Sequence, residues 1–206
     1  MKIDARTGGL WLGLLLALIV ANRGIAGHER TLAEGRVVLL ELAPVDPRSL
    51  MQGDYMALRF DVADDIHAAG NPACRKYRER MKAARARGED AADGNSAAAL
   101  ACMQGAFVDA APAFPARDGY VVVALDRDRV GRFVRIQSAP TPVGRNELAV
   151  RFRERDWRGA RIAGDAWFFP EGQASRYAPA RYGELRVADD GTALLTGLYD
   201  RDRKRL

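Results

Sequence analysis

The chain has 206 residues, room for one large domain or two small ones, and its 48% hydrophobic content allows a sizeable core. Its net charge of +5 arises from 32 lysines and arginines set against 27 acids, with the two signs interspersed through most of the chain. No long basic run with interleaved aromatic residues occurs, which argues against a nucleic-acid partner.

Residues 8–21, GGLWLGLLLALIVA, form an uncharged apolar run preceded by Lys2 and Arg6. A full span needs about 20 residues, and the run reaches that length at Gly27 if Arg23 snorkels to the interface. Residues 1–27 therefore read as a membrane anchor. The alternatives are a cleaved signal peptide, with small residues at Gly24 and Ala26, and a buried helix of a soluble domain. Anchor and signal peptide both deliver residues 28–206 outside the cytoplasm. The expected location is the cytoplasmic membrane, crossed once, with an extracytoplasmic carboxy-terminal body.

Residues 28–35 read as a short helical connector, and RVVLLEL (36–42) as a strand. The next stretch, VDPRSLMQGDY, is a corner. Asp46 suits a helix N-cap and Pro47 the first helical position. Gly53 supplies the conformation that ends a turn, and Asp54 can accept backbone N–H groups. Beyond it, YMALRFDV (55–62) alternates, with Met56, Leu58, Phe60 and Val62 on one face. This predicts a half-buried strand.

Residues 64–111, approximately, read as a helical insert rich in alanine, arginine and acids. Two helices are expected, over 71–87 and 96–105, with Cys74 on the first and Cys102 on the second. In an oxidising compartment this pair is a candidate disulfide; the alternative is two buried thiols. The charges of the insert read as a solvated face. Asp64 and Asp65 read as helix-start acids rather than a cation site with His67. His28 and His67 lack ligand spacing, so no metal is expected. No cofactor motif is present, and any small-molecule ligand is unknown.

From residue 118 the strand pattern returns. Strands are expected over 120–125, 132–137, 147–153, 165–169, 184–187 and 193–199, with Asp190-Gly191 marking a hairpin. The fold class is mainly β with an α insert: an antiparallel β sandwich or open barrel, behind one amino-terminal transmembrane helix.

The stretch GDYMALRF (53–60) resembles the motif that names the GDYXXLXY family, with Phe60 in place of the final tyrosine. The preceding strand, the DPR corner and the later WFFPEGQASRY (167–177) also resemble that family. The resemblance implies a membrane-anchored bacterial envelope protein. Members are often encoded beside multispanning membrane proteins, which implies an integral membrane protein as partner. The candidate binding residues are Arg48, Asp54, Tyr55 and Glu171; Asp46, Pro47, Gly53, Leu58 and Phe60 read as the structural part of the motif.

An enzymatic rival is an anchored hydrolase similar to signal peptidases, with Ser49 as nucleophile. That chemistry needs a neutral lysine on a nearby strand. Lysine occurs only at Lys2, Lys76, Lys82 and Lys204, none of them in a β segment. A carboxylate pair of Asp54 and Glu171 for glycoside hydrolysis, and a sugar platform of Trp157, Trp167 and Phe168, are weaker rivals; buried core is the more common fate of such aromatic residues. No catalytic residue is assigned.

Overall fold

Helix α1 (Ala5–Glu34) unites the apolar run and the connector in one continuous element. Its 30 residues give a length of about 45 Å at the α-helical rise. The side chains from Gly9 to Arg30 are exposed, with Leu12 at 68%, and the helix is long and apolar enough to cross a membrane. The helix docks only at its end. There Thr31 is buried and its hydroxyl donates to the Gly27 carbonyl at 3.0 Å. Gly35 follows because a Cβ at that position would overlap the Thr31 carbonyl oxygen.

The computed structural model describes residues 5–43, 55–69, 72–87, 102, 118–154 and 160–206. Within them the body is β-rich, and every strand pair is antiparallel. One sheet has the order β1 (Arg36–Glu41), β8 (Tyr182–Val187), β9 (Ala193–Tyr199). A second runs β4 (Gly131–Gln137), β3 (Asp118–Leu125), β5 (Glu147–Glu154), β6 (Ala160–Ile162). The third is the pair β2 (Tyr55–Ala57) and β7 (Ala166–Phe168). Isolated bridges, Leu39 to Val130 and Leu42 to Phe60, tie the regions together without closing a barrel among the described residues.

The core lies where these sheets meet. Val38 and Leu40 of β1, Leu185 of β8, Leu198 of β9 and Val121 and Val123 of β3 are all at most 1% exposed. Each such side chain contributes roughly 1.5–3 kcal/mol relative to exposure. The β8–β9 hairpin turns where the sequence predicts it, with Gly191 at φ +82°, a backbone region that glycine enters without steric cost.

Two expectations need correcting. The strand predicted over 55–62 is hydrogen-bonded as a ladder only over Tyr55–Ala57. Met56, Leu58, Phe60 and Val62 are buried as the alternation requires, but the ladder ends early and helix α2 (Asp61–Ala69) begins. Asp61 and Asp64 in its first turn favour that start through the helix dipole. The insert is also arranged differently: α2 packs on α3 (Pro72–Ala86). The second helix expected over 96–105 lies outside the described residues apart from Cys102.

Candidate functional site

The motif corner is described from Tyr55 onward. Arg48, Asp54, Asp46, Pro47, Gly53 and the rival nucleophile Ser49 lie outside the described residues, as does Trp157. The rest of the motif is legible residue by residue. The Leu58 N–H donates to the Asp165 carbonyl at 2.8 Å, and Leu58 is buried. Phe60 is 3% exposed and fills the space over Gly183, where an added Cβ would lie 2.8 Å from its ring. A phenylalanine therefore serves this apolar position without a hydroxyl to satisfy.

Tyr55 faces outward. It pairs directly with Phe168 across the β2–β7 ladder, and the two rings lie 5.8 Å apart. Directly opposed residues share one face of a sheet, and here that face is open: Tyr55 is 41% exposed and Phe168 75%. On the other face, Met56 and Trp167 point inward. Trp167 meets Tyr177 edge-on at 6.1 Å, and Phe169 stacks on Tyr177 at 5.2 Å. The Trp167 indole N–H is buried without a hydrogen-bond partner among the described residues. Leaving such a donor unsatisfied costs about 1–3 kcal/mol.

Phe169 leads into Pro170, Glu171 and Gly172, an exposed turn closed by Gln173 N–H to Pro170 carbonyl at 3.2 Å. Gly172 has φ +80°. The short helix α4 (Ala174–Tyr177) follows, and the Arg176 guanidinium lies 5.5 Å from the Tyr177 ring centre. Tyr55 and the segment carrying Glu171 are thus neighbours through β7. Phe168 is the residue that sequence reasoning misplaced. An aromatic in a short strand reads as core, but alternation with buried Phe169 turns it out.

The second cluster lies between α2 and α3. Asp61, Asp64 and Asp65 share one helical face, and Arg78 and Lys82 face them one turn apart on α3. The Arg78 Nε donates to Asp65 at 3.0 Å, its Nη2 donates to the Asp61 carbonyl at 2.7 Å, and it ion-pairs with the Asp61 carboxylate. Lys82 donates to the other Asp65 oxygen at 2.7 Å. Asp61 and Asp65 are buried, which corrects the expectation of a solvated charged face. Burial pulls Arg78 toward the neutral form, but its hydrogen bond to the Asp61 carboxylate and the charges of Asp61 and Asp65 outweigh it and hold the guanidinium protonated. Asp64 is pushed above the usual carboxylate range by burial, because Arg59 and Arg78 only partly compensate and Asp61 and Asp65 repel it.

Cys74 and Cys102 form a disulfide with Cα atoms 4.4 Å apart. His67 lies beside it, with its ring nitrogen and the two sulfurs mutually within 4.8 Å. Sequence spacing did not show this grouping, since it depends on how α2 packs on α3. Zinc-type sites use thiolates, and these sulfurs are bonded to each other.

A third polar group sits on the β8–β9 sheet. Glu184 accepts from the Thr196 and Tyr199 hydroxyls, each at 2.6 Å. Burial raises its pKa, but those two hydrogen bonds with the nearby Arg205 and Arg186 bring it below the usual glutamate value. The same hydrogen bond pushes the Tyr199 phenol up, so it stays a donor rather than a base. As for the lysine a Ser49 nucleophile would need, Lys82 is ion-paired with Asp65, and Lys76 and Lys204 are exposed.

The family described as GDYXXLXY protein matches the chain over residues 17–198. No curated protein and no solved structure matches it.

Proposed function

The chain belongs to the GDYXXLXY family, and on that premise we propose that it is a membrane-anchored binding or assembly protein whose body docks on an integral membrane protein. Helix α1 is the anchor, the body is extracytoplasmic, and the face around Tyr55, Phe168 and Glu171 is the contact surface. The observation that carries this reading is the Tyr55–Phe168 pair. Two large rings stand in the open on a two-stranded ladder whose reverse face is core. Aromatic residues with an arginine nearby are the usual composition of interface hot spots, and Arg176 is close in the chain. The disulfide supports a compartment outside the cytoplasm, where such bonds persist.

The test is site-specific photocrosslinking from residue 168 in intact membranes. The reading expects an adduct with a multispanning protein, lost on Tyr55→Ser and on charge reversal of Arg48 together with Glu171, with unfolding curves unchanged. Crosslinks to lipid alone, or variants that simply unfold, would assign the corner a structural role. An activity abolished by Ser49→Ala in a folded chain would instead favour the hydrolase.

A further inference from the structure

A groove of about 370 Å³ separates the last part of α1 from the turn between β8 and β9. Arg23, His28, Arg30 and Glu34 line its helical wall, and Asp189 and Asp190 line the wall of the turn. The helical residues recur at steps of three and four and so share a face (Arg23, Gly27, Arg30, Glu34). Gly24 and Gly27 form an open floor, with nothing within 4 Å of an added Cβ.

The charges in this groove are of both signs. Some arginines of the body meet carboxylates: Arg135 meets Glu147 at 2.8 Å, and Arg153 meets Asp118 at 3.1 Å. Asp190 is taken up by Thr192 in its own turn. Arg23, Arg30, Glu34 and Asp189 have no ion pair or side-chain hydrogen bond among the described residues. Cations and anions therefore line one cavity without neutralising each other.

Its position is equally specific. The register pairs Arg36 with Val187. The 188–192 turn consequently lies at the end of the sheet from which α1 arrives. Arg23 is the first charged residue after the apolar run. The polar layer on each side of a bilayer is about 5–8 Å deep; with the span ending at Gly27 and Arg23 snorkelling outward, Gly27 to Thr31, about 6 Å of helix, lies in it. The groove opens at that layer.

We propose that this groove binds the headgroup of a zwitterionic aminophospholipid. The arginines take the phosphate diester, as guanidinium forks do. Asp189 and Glu34 accept from the primary ammonium. A choline headgroup offers the same phosphate but no N–H to those carboxylates, and a purely anionic headgroup leaves them facing negative charge. The site thus selects ethanolamine. This rests on α1 crossing the bilayer, and resistance of the full chain to alkaline extraction checks that separately.

The experiment is native mass spectrometry of the full chain in mild detergent with added phosphatidylethanolamine, phosphatidylcholine or phosphatidylglycerol. Wild type retains the ethanolamine lipid about tenfold over the choline lipid, the scale of one hydrogen-bonded charge contact. Glu34→Gln with Asp189→Asn abolishes that preference while keeping the choline lipid bound as before. Arg23→Gln with Arg30→Gln loses both lipids, and all variants stay membrane-integral. Equal retention of the two lipids by wild type overturns the proposal, as does an unchanged preference in the carboxylate variant. Retention of inorganic phosphate or soluble phosphoethanolamine in place of lipid overturns the lipid source. Alkaline extraction of the wild-type chain overturns the anchor and the site with it.

Discussion

Leu12, Leu16 and Val20 of α1 lie in the open, while Asp61 and Asp65 of α2 are buried with Arg78 of α3 against them. Ordinary burial is inverted in both places, and for different reasons. The side chains of α1 make no core; in the proposed anchor their solvent is the bilayer, where the cost of exposure to water vanishes. The α2–α3 pair is polar inside because each buried charge has a partner placed within hydrogen-bond reach. Composition alone does not separate these cases. On the proposed reading the α1 apolar run is held by its surroundings and α2–α3 by specific geometry, so the two regions should fail in different ways.

The largest effect should come from charging α1. Leu15→Arg with Leu16→Arg places two guanidiniums mid-span, at about 2.5–3.5 kcal/mol each on insertion scales. The chain should leave the membrane fraction, with the body still folded; fractionation followed by unfolding of the released protein checks both halves. Next is the α2–α3 network. Arg78→Met removes the shared partner of two buried carboxylates, leaving Asp65 only Lys82 among the partners described above, and should cost about 3–5 kcal/mol in urea unfolding, without changing membrane retention. Replacing Asp61, Asp65 and Arg78 together by leucine and methionine should recover most of that loss, since a buried pair often contributes little net stability.

Replacing Cys74 and Cys102 by serine should cost about 2–4 kcal/mol, given the 28-residue separation. The same denaturation experiment reads it, and again α1 should be indifferent. The smallest effect sharpens the comparison within the network. The Asp64 carboxyl is raised in the folded state, so it favours folding when protonated and that contribution is lost as pH rises through its folded value. Asp64→Asn should therefore hold or increase stability at pH 7 and make no difference near pH 3. Asp65→Asn should destabilise at pH 7. Equal losses for both variants would mean that the three carboxylates are equivalent.

The degree to which this was legible in the sequence follows the range of the interaction. The β3 run Val121–Val123 and the hairpin at Asp190-Gly191 are local signals, and both elements form as expected. The burial of Met56, Leu58, Phe60 and Val62 was also legible, because alternation reports a face. It does not report where the ladder ends, and here the acids at Asp61 and Asp64 turn the chain into α2. The spacing of Asp61, Asp64 and Asp65 was visible, as was that of Arg78 and Lys82, but their pairing depends on how α2 meets α3. His67 beside the disulfide has the same origin. In the candidate site, the sequence singled out Tyr55 and Glu171, while the partner ring, Phe168, was hidden by its apolar neighbours.

The account stands or falls on where the β body resides. Spheroplasts treated with an impermeant protease test this directly, with the Cys74–Cys102 bond assayed in the same sample by thiol alkylation. The account predicts digestion of the body in intact spheroplasts, a protected fragment the size of α1, and no alkylated cysteine before reduction. Protection of the body until the membrane is opened, together with free thiols, would place it in the cytoplasm and contradict the claim.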